Sequence, residues 1–243
     1  MKSFNSWDEY KPHAHWNQIA MITPQIFLHG WVTDSAVFCL VKLEDHIWLT
    51  AAGDVQLLDY AKVLNEAASM GQVVTMVSLP TAIAQKLNFA DPREVVWMRR
   101  TNPFPPKSVS PNVEIVTDDS ANNEIQRLLQ LSAPDSSVWP GNAEILFWTV
   151  ARNSEKEIVG AAAGVKWQTG AFVVSSVAVA ESARRQGIGS LVTQTTAQEL
   201  FARGAETVNL GVRATNRGAL AMYQAIGFDD QYEFTRAILK AKD

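Results

Sequence analysis

The chain has 243 residues, enough for one large or two small domains with a real core. Its 21 Lys and Arg against 25 Asp and Glu give a formal net charge of −4, so no global positive field exists to hold nucleic acid or an anionic membrane. The chain starts without an apolar segment, and no later stretch approaches ~18 apolar residues, which predicts a cytoplasmic protein without a signal peptide or membrane span.

The first half predicts an α/β pattern. Strands are expected at FCLVKL, HIWLT and VVTMVSL, and an amphipathic helix at VQLLDYAKVLNEAASM. The single cysteine, Cys39, lies inside the apolar run AVFCLV and is interpreted as a small core residue, which suits a reducing cytoplasm.

The two halves of the sequence show a weak similarity to each other, called the sequence echo below. Residues 82–100 resemble residues 219–237, since both stretches predict a helix, then Phe and Asp, then a strand. Two α/β halves would also produce such similarity by chance, so duplication and coincidence both stay open. When Phe89 is matched to Phe228, Ala84 stands where the second half has Tyr223.

The stretch TNPFPPKSVSPNVE (101–114) holds four prolines and no helical or alternating pattern. This composition is typical of an extended connector between compact units. We therefore predict an N-terminal α/β domain over 1–105 and a second domain over 106–243.

The second half predicts helix, three strands, helix, strand, helix, strand. The first helix is expected in DDSANNEIQRLLQL with Asp119 or Ser120 as its N-cap. Strands follow at LFWTVAR, EIVGAAAGVKW and FVVSSVAV, then a helix from about 187 to 202 that ends at Gly204. ETVNLGVR is the next strand, 217–225 a short helix stopped by Gly227, and QYEFTRAIL the last strand.

The turn RRQGIG (184–189) joins a predicted strand to a predicted helix. Helix N-termini expose unpaired N–H groups, glycine lets a ligand approach, and arginine donors suit phosphate oxygens, so an anion cradle is one interpretation. Tight packing with solvated arginines is the other. A Walker loop is excluded because Ser190-Leu191 follows Gly189, and a dinucleotide fingerprint lacks its third glycine, since Val192 stands there.

Two blocks of residues resemble the signature of the GNAT superfamily of N-acyltransferases. The first is Val177-Ala178-Val179 followed by Arg184-x-x-Gly187-x-Gly189, and the second is LGVRATNRGALAMYQAIGF with Asn216, Ala219, Tyr223, Gly227 and Phe228. The resemblance covers about 115–240 and hardly touches 1–100. It implies a GNAT fold, a mixed β-sheet flanked by helices, with an N-terminal α/β domain open to interpretation as a degenerate GNAT-like half.

The same resemblance implies an acyl-CoA-dependent N-acyltransferase that uses acetyl-CoA as co-substrate and no metal. The turn would hold the pyrophosphate, and the strand edge would pair with the pantetheine arm. Cofactor contacts are implied for Val177, Val179, Arg184, Arg185, Gln186, Gly187, Ile188, Gly189, Ser190 and Asn216. Tyr223 is implied as the general acid near the sulfur; packing of its helix on the sheet is the simpler alternative, as an N-cap role is for Asn216.

The general base is where the chain departs from the family pattern. The two usual carboxylate positions carry Gly211 and Val173. The amine would then lose its proton through water held by Ser175, Ser176 or backbone carbonyls, or to a carboxylate such as Glu144 or Asp135, or it would arrive neutral. A non-catalytic acyl-CoA sensor or scaffold is the alternative function that the missing carboxylate allows.

The acceptor is expected to be a small-molecule or peptide amine recognised by residues 119–142. Trp139, Trp148 and Trp167 could line its pocket, although tryptophans are more often core residues. His13 and His15 have metal-like spacing without a Cys, Asp or Glu cluster, which makes a poor metal site. Neither nucleic acid nor a membrane is expected as a partner, and the sequence leaves a homodimer open.

Overall fold

The structure is a computed structural model that describes residues 1–43, 45–87, 89, 91–105 and 112–239. The chain divides into two compact units, and each combines separate stretches. Unit 1 contains Met1–Trp97, Val212–Asn216 and the chain from Gln231 onward. Unit 2 contains Met98–Gly211 and Arg217–Asp230. The predicted boundary at residue 105 stays a prediction, and residues 106–111 of the predicted connector lie outside the described residues.

Unit 1 is built on a mixed sheet in the order β1-β2-β3-β4-β5-β12. The strands from β1 to β4 are antiparallel neighbours, β5 runs parallel to β4, and β12 runs antiparallel to β5. The strands are β1 (Lys2–Phe4), β2 (Phe27–Val32), β3 (Ala36–Leu43), β4 (His46–Gly53), β5 (Met76–Pro80) and β12 (Asp230–Ile238). The helices are α1 (Trp7–Tyr10), α2 (Trp16–Met21), α3 (Leu57–Ser69) and α4 (Thr81–Ala84), and β6 (Arg93–Arg100) follows α4.

The core of unit 1 confirms the interpretation of the apolar runs. Phe38, Leu49, Val63 and Leu79, from β3, β4, α3 and β5, are fully buried in one cluster. Cys39 is fully buried in a second cluster beside Tyr10 and Trp7, as expected for a small core residue. That second cluster explains the short helix α1, which no sequence pattern predicted, because its aromatic residues Trp7 and Tyr10 pack there. The equally short α2 is held by Gln18, whose side chain accepts from the Tyr10 hydroxyl and donates to the Thr50 hydroxyl, both at 2.9 Å.

Unit 2 is built on a sheet in the order β7-β8-β9-β10-β11. The strands from β7 to β10 are antiparallel neighbours, and β11 runs parallel to β10. The strands are β7 (Val113–Val116), β8 (Ile145–Arg152), β9 (Ile158–Lys166), β10 (Phe172–Val179) and β11 (Val208–Arg213), and the helices are α5 (Asn122–Ser132), α6 (Ile188–Ala202) and α7 (Arg217–Ala225). The predicted order of elements in this half is confirmed.

Two local predictions in this region were wrong. Val113 and Glu114, assigned to the connector, belong to β7, whose four residues were too few to show an alternating pattern. The cap of the first helical segment is Asp118, because its side chain accepts a hydrogen bond from the backbone N–H of Ser120 at 3.0 Å. Asp119 and Ser120 instead begin a 3-10 turn that leads into α5.

The two halves of the chain share an order of elements. Three antiparallel strands, a helix, a parallel strand, a short helix and a further strand run from β2 to β6 and again from β8 to β12. Asn88 and Ala90 of the sequence echo lie outside the described residues. The duplication stays a prediction, and this shared order is the structural feature that favours it.

Candidate functional site

The strand β10 carries a β-bulge. Ser175 pairs with Ala163 of β9, but the next pairs are Ala178 with Ala161 and Val179 with Gly160, so one extra residue is accommodated in β10. Ser176 within this bulge has a positive φ of 50°, a left-handed conformation that is uncommon for residues other than glycine. The bulge is a structural feature of β10 that no sequence pattern predicted.

The parallel pairing of β10 with β11 ends before the bulge. It consists of Phe172 with Val208 and Val173 with Asn209. Beyond Val173, the β11-facing edge of β10 is therefore without a strand partner within the described part of unit 2. Unpaired strand groups need another partner or water, so this edge can accept an extended ligand as an added strand. Val177 and Val179, both half-buried, lie on β10 at and beyond the bulge.

The parallel strand pair of unit 1 is longer by one residue pair. Its described pairs are Trp48–Met76, Leu49–Val77 and Thr50–Ser78, and β4 keeps an unbroken register with β3. The indole of Trp48 also donates a hydrogen bond to the Ser78 hydroxyl at 3.1 Å. Beyond Thr50, the Ala51 carbonyl of β4 accepts a hydrogen bond from the Tyr232 hydroxyl, so this carbonyl already has a partner within unit 1.

The arginine–glycine turn presents a concave set of backbone N–H groups. Arg185 and Gly187 have positive φ values of 63° and 79°, and Gly187 is the N-cap of α6 with no side-chain cap. Alternating left-handed residues before a helix form the backbone nest that binds anions. Among the described residues, none accepts a hydrogen bond from the N–H groups of Ile188, Gly189 or Ser190. The exposed N-terminus of α6 therefore offers both free donors and a positive dipole end.

The space around this turn is open. A Cβ atom built on Gly187 would meet no atom within 4 Å. Arg184, Arg185, Gln186 and Gly187 are exposed. The Gln186 side chain donates to the Ser182 carbonyl at 3.0 Å and so braces the turn. An anion can therefore approach the N–H groups without displacing a side chain.

Tyr223 is fixed by the way that α7 ends. Gly227 has φ 81°, its N–H donates to the Gln224 carbonyl at 2.9 Å, and the Phe228 N–H donates to the Tyr223 carbonyl at 3.0 Å. This pair of bonds is a Schellman motif, and its usual apolar contact is the edge-on packing of the Phe228 and Tyr223 rings at 6.3 Å. The Tyr, Gly and Phe of the sequence block are thus one local structural unit.

The environment of Tyr223 keeps its phenol protonated. The side chain is only 6% exposed. Burial raises the pKa of Tyr223 above its usual value of 10 because the phenolate would lose its hydration. Tyr223 can therefore donate a proton at neutral pH and does not titrate there.

Arg100 stabilises the same helix end, and the sequence analysis missed it. Its guanidinium donates to the carbonyls of Ile226 and Gly227 at 2.9 and 3.0 Å. The guanidinium also stacks over the Phe104 ring at 4.0 Å. A cation at the last carbonyls of a helix satisfies them and complements the helix dipole. Arg100 thereby helps to hold Tyr223 in place.

We expect Arg100→Met to destabilise the protein by about 2 kcal/mol, because the carbonyls of two half-buried residues lose a charged donor. The melting temperature should fall by roughly 4–8 °C for a chain of this size. Arg203→Met is the control, since Arg203 belongs to an exposed pair with Glu199 at 2.8 Å and such pairs contribute little. Equal shifts for the two variants in a thermal melt would contradict the capping role.

The positions discussed for the general base have different surroundings. Val173 is buried and Gly211 is exposed, and neither offers a carboxylate. Asp135 is exposed, whereas Glu144 is half-buried with its carbonyl accepting from the Lys166 N–H at 3.0 Å. Lys166 is three residues from Ala163, the partner of Ser175, so the Glu144 backbone lies about 10 Å along the sheet from the bulge.

The remaining predicted residues are placed as follows. Asn216 is exposed directly before α7, and its backbone N–H donates to the Arg213 carbonyl at 2.9 Å. Trp148 is buried, while Trp139 and Trp167 are half-buried. The His15 side chain caps α2, and within the described residues no group of three or more His, Cys, Asp or Glu is arranged to hold a metal ion. No helix in that part of the chain is long and apolar enough to cross a membrane.

A serine-rich contact joins the loop between α5 and β8 to the bulge. The hydroxyl oxygens of Ser137 and Ser175 are 2.7 Å apart. The Ser176 hydroxyl accepts from the Val138 N–H at 3.2 Å and donates to the Val138 carbonyl at 2.7 Å. In the same loop, the Trp139 indole donates to the Ser136 carbonyl at 3.0 Å. The loop is therefore held on β10 beside the open strand edge.

Comparison with solved structures gives the fold. An acetyltransferase from the GNAT family of Colwellia psychrerythraea has a TM-score of 0.57 at 14% identity, covering 98% of this chain and 99% of that one. A GCN5-related N-acetyltransferase from Sphaerobacter thermophilus has a TM-score of 0.55 at 15% identity, covering 93% and 85%. The predicted GNAT fold, a mixed sheet flanked by helices, is confirmed.

Sequence comparison gives a partial relative. The [ribosomal protein bS18]-alanine N-acetyltransferase of Escherichia coli K12 is 38% identical over 55 residues, which is 23% of this chain. The match spans 37% of the length of that relative. Residues 118–228 match the sequence model of the Acetyltransferase (GNAT) family, a range that runs from the cap of the first helical segment to Phe228. Over residues 118–228, this chain is therefore similar to the GNAT family of acetyltransferases.

Proposed function

We propose that this chain is an N-acyltransferase that moves an acetyl group from acetyl-CoA directly to an amine acceptor. The observation that carries the proposal is the open turn at Gly187, where the first N–H groups of α6 lack partners. These donors and the flanking Arg184 and Arg185 suit the diphosphate of a coenzyme. The unpaired edge of β10 suits the amides of a pantetheine arm.

The residues of unit 2 supply the remaining steps of such a transfer. A backbone N–H at the bulge of β10 donates to the thioester carbonyl and stabilises the oxyanion that forms when the amine attacks. Tyr223 donates its proton to the departing sulfur as the carbon–sulfur bond breaks. Because its pKa is raised, Tyr223 is protonated at neutral pH, as a proton donor must be.

The acceptor is a small-molecule or peptide amine recognised beside the loop that follows α5. Serine hydrogen bonds hold this loop on β10, and the half-buried Trp139 lies within it. Since the partial relative is named for an alanine acceptor in a ribosomal protein, peptides with alanine belong in an acceptor panel. Amino acids, polyamines and aminoglycosides complete the panel.

Titration of the wild-type protein with acetyl-CoA tests the proposal. We expect one molecule bound per chain, because the Arg-x-x-Gly-x-Gly turn occurs once in the sequence, at residues 184–189 of unit 2. Isothermal titration calorimetry measures both the affinity and the stoichiometry. No binding at millimolar acetyl-CoA would refute the proposal, and two equivalent sites would refute the assignment of the site to unit 2 alone.

A non-catalytic acyl-CoA sensor is the second candidate. It is favoured by Val173 and Gly211, the two positions where a carboxylate base is absent. Labelled acetyl-CoA and the acceptor panel separate the two functions. Binding without turnover on any amine would favour the sensor.

A further inference from the structure

The serine pair connects a buried position to the surface. Ser175 lies on β10 immediately before the bulge and is 9% exposed, whereas Ser137 is exposed in the loop after α5. Their hydroxyl oxygens are 2.7 Å apart. A continuous hydroxyl path therefore runs from the point where β10 loses its strand partner to solvent.

The pair has hydrogen-bonding capacity to spare. Each serine hydroxyl has one donor and two acceptor sites, and the bond between Ser137 and Ser175 uses one donor and one acceptor site. One donor and three acceptor sites remain. The pair can therefore accept a proton at one end while it gives one up at the other.

The Ser176 hydroxyl makes different hydrogen bonds from the Ser175 hydroxyl. Its hydroxyl accepts from the N–H of Val138 and donates to the carbonyl of the same residue. Its only donor is thus committed to backbone. Ser176 holds the loop in position, and this difference makes it an internal control for Ser175.

We propose that Ser175 and Ser137 form a hydroxyl relay that carries a proton from the acceptor ammonium to bulk water, in place of a carboxylate base. The inference rests on the proposed acetyl transfer and concerns the same site. Ser175 Oγ takes the proton as the N–H bond breaks, the proton of Ser175 passes to Ser137 Oγ, and the proton of Ser137 leaves to a solvent water. Both serines end neutral, and the amine keeps the lone pair with which it attacks the thioester.

The relay predicts a specific pH dependence of kcat/KM for the acceptor. Hydroxyls conduct a proton without storing it, so the fraction of neutral amine depends only on the pKa of the acceptor and on the pH. The kcat/KM for the acceptor should rise tenfold per pH unit up to the pKa of the amine. A carboxylate base adds its own pKa to the profile, which then levels off at lower pH.

The experiment compares Ser175→Ala, Ser137→Ala, their double variant and Ser176→Ala, with acetyl-CoA and the best amine of the panel. We expect each single relay variant to lower kcat by about 100-fold, within the usual range for proton-transfer groups. The double variant should lose no more than the worse single one, because one path is broken in either case. Ser176→Ala should act mainly on the KM for the acceptor, and Ser175→Thr and Ser137→Thr, which keep the hydroxyl, should retain turnover.

Four results would overturn the relay: an equal loss of kcat in Ser176→Ala, an intact kcat in Ser175→Ala, a pH profile that levels off below the pKa of the amine, or loss of turnover in Glu144→Gln or Asp135→Asn. Thermal melts of every variant show that a loss of turnover is not a loss of fold. Titration with acetyl-CoA distinguishes failure of the proposed acetyl transfer from failure of the hydroxyl relay. Absent binding by the wild type defeats the proposed function itself, while retained binding with any of the four results defeats the relay alone.

Discussion

Gly187→Glu is expected to weaken acetyl-CoA binding by about 100-fold. Gly187 has φ 79°, which costs a residue with a side chain about 1 kcal/mol. The added carboxylate would stand in open space at the turn and repel the diphosphate by roughly 1–4 kcal/mol at 4 Å. The strain acts on the free and the bound protein alike and lowers stability, whereas the repulsion acts on the bound state alone, and about 2.7 kcal/mol of repulsion corresponds to the expected loss of affinity. Isothermal titration calorimetry of both proteins measures it directly.

Gly170→Glu is the matched control for this variant. Gly170 has a similar φ of 85° and a similarly open environment, but it lies in the turn between β9 and β10. It therefore suffers the same backbone strain and gains the same charge away from the N-terminus of α6. Gly187→Ala adds the strain without the charge. If Gly170→Glu weakened binding as much as Gly187→Glu, the diphosphate would not lie at the turn.

Tyr223→Phe is expected to lower kcat by about 100-fold or more, because the departing thiolate loses its proton donor. Phenylalanine keeps the ring that packs on Phe228, so the Schellman end of α7 should survive. The KM for acetyl-CoA should change little. Steady-state kinetics on the preferred amine, with a thermal melt as the folding control, provides the measurement.

The dependence of turnover on pH is a second test of the role of Tyr223. Burial disfavours the phenolate, so the acid form persists as the pH rises through the ordinary pKa of 10. Wild-type turnover should therefore not decline through tyrosine ionisation below about pH 10. Unchanged kcat in Tyr223→Phe would leave the residue with a packing role only.

Long periodic segments were predictable from the sequence, and short ones were not. The apolar spacing of α3 and α5 and the glycines that follow α6 and α7 predicted the observed helices, because apolar spacing and glycine stops act locally. The helices α1 and α2 were missed, since aromatic packing stabilises α1 and the side-chain hydrogen bonds of Gln18 stabilise α2, and neither produces a periodic pattern. The cap at Asp118 was misplaced because three adjacent polar residues could each serve.

The candidate site was partly predictable for the same physical reason. The turn at Gly187 and the position of Tyr223 are local features with a sequence signature. The bulge was not predictable, because its residue with positive φ is Ser176 and not a glycine. The contact between Ser137 and Ser175 was not predictable either, because folding brings together two residues that are 38 positions apart in the sequence. Arg100 lies outside the matched family range, so no signature pointed to its contacts with α7.

The strand β12 has a consequence for the order in which this protein can mature. It pairs with β5, although about 150 residues separate the two strands in the sequence. During synthesis β5 emerges first, and until β12 follows it presents an open, aggregation-prone edge. The sheet of unit 1 can therefore form its β5–β12 pairs only after the intervening strands and helices of unit 2 have been synthesised.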